Sequence, residues 1–487
     1  MHDATSSHLD LQATAKEIMM QHGFAPDFAP EVSAQLAGLK QQKPASANTD
    51  MRDLRNLLWS SIDNDTSRDL DQIEVAASAP NGDVKVMVAI ADVDAFVSKQ
   101  TPIDQHAARE TTTVYTGIRN FPMLPEELCT GASSLLENQD CLSIVIEFVV
   151  DSTGNLKSQA VYRALVSNKA QLQYNSVGAW LEGKGAPPAK IAASTDLQAQ
   201  LKLQSEVAQR LKQQRVQRGA LNLQTDEVHP LVLNDKVVDV VKQQKNRATD
   251  LIEDFMVAAN GVVARFLENV SSLRRIVRTP QRWDRIVQLA ATKGEKLPAQ
   301  PDSKALNDFL LHRKAVDPDR FADLSLAVIK LIGPGEYVVE HPGDVISGHF
   351  GLAVQDYTHS TAPNRRFADI VTHRLIKAML AGQKNPYSDA ELTAIAANCT
   401  QKEDAARKVE REMSKRLAAV AMQNHIGDVF EAIVTGVTDH GTFVRVLQPH
   451  IEGLLAQGQQ GLDVGDKLRA KLIRTDPRKG YIDFARA

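Results

Sequence analysis

The sequence predicts an α+β protein of several domains, and three observations lead to this fold class. The chain has 487 residues, too many for one hydrophobic core and enough for roughly two to four domains. Strand-like apolar runs dominate from about 52 to 170, whereas helical periodicity dominates from 196 to 424. Short apolar runs separated by glycines fill the C-terminal end. This segregation favours α+β over regular βαβ alternation.

The N-terminal segment predicts a small helical module at 1–48. Two short amphipathic helices are expected between residue 7 and about residue 40, with a break at Gly23-Phe-Ala-Pro26. The polar stretch 41–49 reads as a linker. The module could be a helix-turn-helix that binds nucleic acid, or it could simply pack against the main domain.

The central segment, 49–424, predicts a mixed sheet followed by helices. Strands are expected at 86–93, 142–150 and 156–165, with a turn at 151–154 between the last two. Helical periodicity appears at 196–216, 248–270, 303–313, 321–332, 366–381 and 388–424. This order, strands first and helices after them, indicates an α+β domain.

The C-terminal segment, 425–487, predicts a small β-barrel of the OB type. Strand-like runs occur at 429–439, 440–446, 451–455, 464–468, 470–475 and 480–484. Several short strands with glycine turns over about sixty residues are typical of such a barrel.

Composition limits the class of protein. Hydrophobic residues make up 43% and charged residues 24%, as in a globular protein, and no run approaches the length that spans a bilayer. The three cysteines form no C-x-x-C pair, and no signal-peptide pattern is seen, so we expect a cytoplasmic protein with no membrane association. A net charge of −4 still permits a local basic channel. Arginines crowd 274–285, and mixed charges at 402–416 read as a solvated helix face.

The most informative segment is 60–74, which carries five acids. They are Asp63, Asp65, Asp69, Asp71 and Glu74. Acids this close repel one another unless cations hold them, and oxygen ligands suit Mg²⁺ or Mn²⁺, which serve phosphate chemistry. An acidic solvated loop is the alternative. The apolar run 86–92, which ends in Asp92, favours the first interpretation, because a buried strand of this kind is expected to lead into a site.

Five ordered blocks resemble the ribonuclease II/R (RNB) family of exoribonucleases. They read I-D-N-D-T-S-R-D-L-D-Q, V-A-I-A-D-V-D, R-G-A-L, L-I-E-D-F-M and T-A-P-N-R-R-F, the last followed by Asp369, His373 and Arg374. The C-terminal barrel is similar to the S-one-type OB domain of that family. Two features depart from the family: Gln72 stands where a fourth aspartate is usual, and a helical module replaces the cold-shock barrels. Asp65 or Glu74 could supply the missing charge.

The resemblance implies a set of site residues. Catalytic roles fall to Asp69, Asp71 and Arg365, where Arg365 matches an arginine that contacts the reacting phosphate. One or two Mg²⁺ or Mn²⁺ ions would be held by Asp63, Asp69, Asp71 and Gln72. The expected RNA-binding residues are Tyr115, Tyr174, Trp283, Arg366, Arg374 and Glu410. Within this set Tyr115 matches a base-stacking tyrosine, and Tyr174 resembles a position that reads the 2′-hydroxyl.

Several of these assignments have open alternatives. Trp283 lies outside the family motifs. It is expected either to contact an RNA base from the side opposite Tyr115 or to lie in the hydrophobic core. Arg366 and Arg374 could form structural ion pairs, and Glu410 fits a helix salt bridge better than an RNA contact.

The resemblance also implies an activity. The expected protein is a monomeric, processive 3′→5′ exoribonuclease that binds single-stranded RNA, or structured RNA with a 3′ overhang, and releases nucleoside 5′-monophosphates. The competing hypotheses are a family member weakened at Gln72 that only binds RNA, and a DNA exonuclease.

Overall fold

The computed structural model describes residues 9–39, 51–224, 228–233, 236–242 and 245–487. The helices in these ranges are α1 Leu11–Gln21, α2 Pro30–Leu39, α3 Pro102–Glu110, α4 Tyr174–Leu181, α5 Ala189–Ala192, α6 Thr195–Gln217, α7 Arg247–Phe266, α8 Trp283–Thr292, α9 Ser303–Val316, α10 Phe321–Ile332, α11 Phe367–Leu380 and α12 Asp389–Ala421. The strands are β1 Arg52–Asp53, β2 Ser60–Asp63, β3 Gln72–Ser78, β4 Val84–Ala91, β5 Val114–Tyr115, β6 Asn120–Phe121, β7 Asp140–Val150, β8 Leu156–Ser167, β9 Ala170–Gln173, β10 Val228–Leu233, β11 Lys236–Lys242, β12 Ser272–Ile276, β13 Glu336–Glu340, β14 Val429–Thr438, β15 Gly441–Val446, β16 Ile451–Gln457, β17 Lys467–Asp476 and β18 Tyr481–Arg486.

A seven-stranded sheet forms the centre of the molecule, in the order β1-β8-β7-β4-β3-β2-β9. Its middle strand β4 is almost wholly buried, as its near-continuous apolar run predicts. The hairpin between β7 and β8 turns where the Asp151 carboxylate accepts the backbone N–H groups of Thr153 and Asn155. Gly154 has a φ of +89°, and a Cβ there would lie 2.3 Å from the Arg210 carbonyl oxygen, so this turn requires glycine.

The long elements lie close to their predicted positions. The runs at 86–93, 142–150 and 156–165 correspond to β4, β7 and β8, and all six predicted helices correspond to α6, α7, α9, α10, α11 and α12. The shorter helices α3, α4, α5 and α8 were not predicted from the sequence. Helices of four to ten residues present too few turns for a clear apolar period.

The two predicted N-terminal helices are present as α1 and α2, whereas the predicted linker at 41–49 lies outside the described residues. Apolar side chains of α1, among them Ile18 and Met19, pack against Val409 and Met413 of α12. The side chain of His22 bonds Glu412 at 2.8 Å, which fixes the end of α1 to the same helix. The interface shows that the helical segment is docked on the rest of the chain.

The C-terminal strands close into a barrel in the order β14-β15-β16-β18-β17. The predicted strand at 464–468 is wrong in part, because Val464–Asp466 is a turn and β17 begins at Lys467. Arg445 in the barrel forms an ion pair with Asp323 of α10, and Arg320 donates to the Gly465 carbonyl at 2.9 Å. Within the described ranges, every helix is too short or too polar to cross a lipid bilayer.

Candidate active site

Neighbouring strand ends bring the predicted acids to one edge of the central sheet. β2 ends at Asp63, β3 begins at Gln72, and the loop between them carries Asp69 and Asp71. β2 runs parallel to β9, with Asp63 paired to Gln173 in register. Tyr174 follows Gln173 directly and begins α4, so the predicted 2′-hydroxyl contact lies beside Asp63.

Asp71 is held at the buried end of this loop. One carboxylate oxygen accepts the backbone N–H of Asn364 at 2.9 Å, and the other lies 3.6 Å from Nε of Arg365. Burial raises the pKa of the Asp71 carboxyl to about 7, against the opposing effect of Arg365. Burial also raises the pKa of Asp69, and Asp63 adds to that shift. These carboxylates therefore form a site that strongly favours a cation.

Arg365 reaches Asp71 because the loop 361–366 is fixed from several sides. Asp369 accepts the backbone N–H of Ala362 at 2.8 Å, and Asn260 on α7 accepts the N–H of Ser360 at 2.9 Å. The Arg365 carbonyl accepts the N–H of Thr113 at 3.1 Å, which ties the loop to the segment that leads into β5. The Arg365 side chain itself remains 51% exposed, so a phosphate group could reach its guanidinium.

Tyr115 lines two clefts, one of which reaches Asp69 and the other Arg365. The first cleft, of about 650 Å³, is lined by Asp69, Tyr115 and Phe28 of the N-terminal module, among others. The second, of about 210 Å³, is lined by Tyr115, Arg365 and Glu410, among others. The Tyr115 side chain is 40% exposed, and its backbone N–H donates to Glu410 at 3.1 Å. An exposed ring in this position can stack on a base.

Two of the predicted RNA contacts are wrong because the side chains are buried. Trp283 is 4% exposed, packs against Phe350 and donates its indole N–H to the Pro298 carbonyl at 2.9 Å. Arg374 is 5% exposed in its side chain and pairs with Asp94 and Asp104. Each is held inside the protein, where it cannot contact RNA.

Other charges near the motifs are also used structurally. In the arginine-rich stretch, Arg274, Arg275 and Arg278 pair with Glu340, Glu403 and Glu336. The end of β4 lies beside the acid loop, where the Ala91 N–H donates to the Asp71 carbonyl at 2.9 Å, but the Asp92 carboxylate itself pairs with Lys377 and Arg163. Arg366 donates two hydrogen bonds to Asp369, although a quarter of its side chain is exposed, and its contact with RNA stays a prediction.

Comparison with known proteins identifies the family of this chain. The RNB domain model matches residues 51–382, and the model of the RNase II-type exonuclease C-terminal S1 domain matches residues 428–487. The chain belongs to the RNB family. It is 30% identical to ribonuclease R of Thermotoga maritima over 468 residues, covering 89% of this chain and 64% of that protein. It is 31% identical to ribonuclease R of Escherichia coli over 460 residues, covering 91% of this chain and 55% of that protein.

A solved structure shares the fold. Mycoplasma genitalium RNase R in complex with ribose-methylated single-stranded RNA aligns with a TM-score of 0.87 and 23% identity, covering 98% of this chain and 78% of that one. The same protein in complex with double-stranded RNA gives a TM-score of 0.87. The predicted RNB fold with a C-terminal S1 barrel is therefore confirmed. The chain spans about half to two-thirds of the length of the two curated relatives.

RNB enzymes in general depend on a metal ion, and the residues of this RNB domain fit a hard divalent cation. All donors at the sheet edge are oxygens, and Oε1 of the buried Glu74 has no hydrogen-bond partner among the described residues. Among the described residues, no group of three His, Cys, Asp or Glu side chains lies close enough together to hold a metal ion by itself. Mg²⁺ is commonly held by one or two carboxylates, with water and substrate phosphate completing its shell, and this site matches that pattern.

Asn364 and Ser133 help to position the RNB site, although neither was predicted from the sequence. The Asn364 N–H bonds Asp71, and its side-chain oxygen accepts the Ser133 hydroxyl at 2.6 Å. Asn364 stands next to Arg365 in the quoted motif, so that neighbourhood was the available signal. Ser133 carried no comparable signal, because its contact joins residues that are 231 positions apart.

Proposed function

We propose that this chain is a metal-dependent 3′→5′ exoribonuclease that releases nucleoside 5′-monophosphates. The proposal is supported by membership of the RNB family together with one observation: the exposed guanidinium of Arg365 lies beside the buried carboxylate of Asp71. A cation-binding acid next to an exposed arginine suits a phosphodiester, because both groups can act on the same phosphate.

In the proposed reaction, the side chains position the scissile phosphate. Arg365 donates two hydrogen bonds to its non-bridging oxygens and stabilises the charge that grows on them during attack by water, by roughly 3–4 kcal/mol. One or two Mg²⁺ or Mn²⁺ ions, held by Asp63, Asp69, Asp71 and Gln72, would neutralise phosphate charge and make a water nucleophilic. Asp71 must be ionised for this role. Burial raises the pKa of its carboxyl to about 7, and its contacts with Arg365 and Asn364 oppose that rise and favour the ionised form.

The proposed substrate is single-stranded RNA, or structured RNA with a 3′ overhang. Tyr115 would stack on a terminal base regardless of its identity, and Tyr174 would contact a 2′-hydroxyl beside Asp63. Mycoplasma genitalium RNase R has been solved in complex with single-stranded and with double-stranded RNA, which supports this class of ligand. We further propose a cytoplasmic monomer with the domain division 1–48, 49–424 and 425–487. The free thiols of Cys129, Cys141 and Cys399 fit a reducing compartment.

Gln72 supports a second candidate, an RNA-binding protein with a weakened site. Gln72 is 7% exposed at the start of β3, where a neutral amide attracts a cation less than a carboxylate does. This candidate predicts that RNA binds but is not shortened.

One digestion experiment separates the possibilities. An oligoribonucleotide labelled at its 5′ end and its DNA counterpart are incubated with the full chain and Mg²⁺ or Mn²⁺. Shortening of the RNA, but not of the DNA, from its 3′ end supports the proposal when chromatography also finds unlabelled nucleoside 5′-monophosphates. Intact RNA that is nevertheless bound supports the weakened site, and equal shortening of DNA supports a DNA exonuclease.

A further inference from the structure

Glu74 is a buried carboxylate with no cation beside it. Its side chain is 1% exposed, and Oε1 has no hydrogen-bond partner among the described residues. Each of the other buried acids in the same ranges forms an ion pair: Asp71 with Arg365, Asp92 with Lys377, Asp104 with Arg374, Glu110 with Arg109, Asp254 with Arg215, and Asp369 with Arg366. A buried carboxylate is costly unless a cation or a metal ion accompanies it, so Glu74 is an exception that needs a cause.

The position of Glu74 connects it to the proposed metal site. Side chains alternate along a strand, so Gln72 and Glu74 of β3 point to the same face of the sheet. Glu74 pairs in register with Ser60 of β2, whose hydroxyl is fully buried and also lacks a partner. β2 ends at Asp63, and burial together with the charge of Asp63 raises the pKa of the Glu74 carboxyl well above its usual range. A cation bound at this edge of the sheet would favour the ionised form of Glu74.

We propose that Glu74 supplies the negative charge that Gln72 does not give to the metal site. Four negative charges then surround the cation: those of Asp63, Asp69 and Asp71, and that of Glu74, which lies two residues after Gln72 on β3. Asp65, the other candidate from the sequence, is exposed, and water screens its charge. This inference rests on the proposed function, because it assigns Glu74 to the ion that the exoribonuclease would use.

A double-mutant cycle on Mn²⁺ affinity tests the inference without measuring catalysis. Free Mn²⁺ is titrated by electron paramagnetic resonance against the full chain and the variants Glu74→Gln, Gln72→Asp and the double variant. Glu74→Gln keeps the shape of the side chain and is expected to weaken Mn²⁺ binding by about 10–100-fold, as loss of a supporting carboxylate does. Gln72→Asp is expected to restore most of that loss in the Glu74→Gln background, and to tighten binding less than about threefold in the intact chain. Asp65→Asn is the matched control and should leave the affinity within about twofold.

Two results would overturn the inference. Unchanged Mn²⁺ affinity in a folded Glu74→Gln variant would mean that Glu74 is a neutral structural acid. Tightening of more than about tenfold by Gln72→Asp in the intact chain would mean that the fourth charge is missing, and this result does not require any Glu74 variant to fold. If the wild-type chain shortens RNA with Mn²⁺ while either result is found, the inference alone fails. A wild-type chain that neither binds Mn²⁺ nor shortens RNA contradicts the proposed function itself.

Discussion

The guanidinium of Arg365 lies 3.6 Å from the carboxylate of Asp71. The residue before Arg365, Asn364, donates its backbone N–H to the same carboxylate, although Asn364 and Asp71 are 293 positions apart in the sequence. The contact joins the acid loop between β2 and β3 to the loop that leads into α11. Two distant motifs of the chain thus meet at one carboxylate. Any phosphate bound by Arg365 will lie next to the proposed metal ligands.

We predict that Arg365→Lys lowers kcat on an oligoribonucleotide by about 10²–10³-fold. Lysine keeps the charge but loses the planar fork that contacts two phosphate oxygens at fixed angles. Single-turnover rates at saturating enzyme will isolate the chemical step from binding. Rates within a factor of about two of the wild type would show that Arg365 supplies only charge.

We predict that Tyr115→Ala weakens binding of single-stranded RNA by about 1–3 kcal/mol, whereas Tyr115→Phe leaves it nearly unchanged. The ring is partly exposed and lines both clefts, and stacking uses the ring rather than its hydroxyl. Fluorescence anisotropy with a labelled oligoribonucleotide in the absence of divalent ions will measure this. Equal losses in both variants would instead implicate the hydroxyl group.

We predict that Arg215→Met destabilises the fold in a pH-dependent way. Arg215 pairs with Asp254, which is 3% exposed, and burial raises the pKa of Asp254 to about 6 even with that arginine present. A carboxyl whose pKa is raised in the folded state contributes full stability below its unfolded pKa, and this contribution is lost as pH rises through the folded pKa. Without Arg215 the pKa rises further, so the deficit should reach about 3–5 kcal/mol near pH 8 and shrink towards pH 5.

Urea unfolding of Arg215→Met at pH 5 and pH 8 will measure this deficit, with Lys304→Met as the control. Lys304 pairs with Asp308 at the surface, so its loss should cost little at either pH. A deficit of the same size at both pH values would show that Asp254 is not the group involved.

The long helices and strands and the motif residues could be predicted from the sequence, but which charged residues are buried and which are exposed could not. The long helices and strands followed from periodicity, and Asp71 and Arg365 followed from motif blocks. Trp283 and Arg374 were assigned to RNA because aromatic and basic residues near a motif suit that role, yet both are buried. The pairing of Arg374 with Asp94 and Asp104 depends on contacts across 280 and 270 positions, which no local pattern encodes. For the same reason, the unpaired state of Glu74 could be recognised only in the folded chain.

The most direct test of the proposed exoribonuclease is the Asp71→Asn variant, assayed for RNA binding and RNA shortening under identical conditions with Mg²⁺ or Mn²⁺. The substitution keeps the size of the side chain and removes the charge that Arg365 and a cation would share. We predict that shortening from the 3′ end falls by at least about 100-fold while RNA affinity changes less than about threefold. Shortening at the wild-type rate would remove Asp71 from the chemistry and contradict the proposed site.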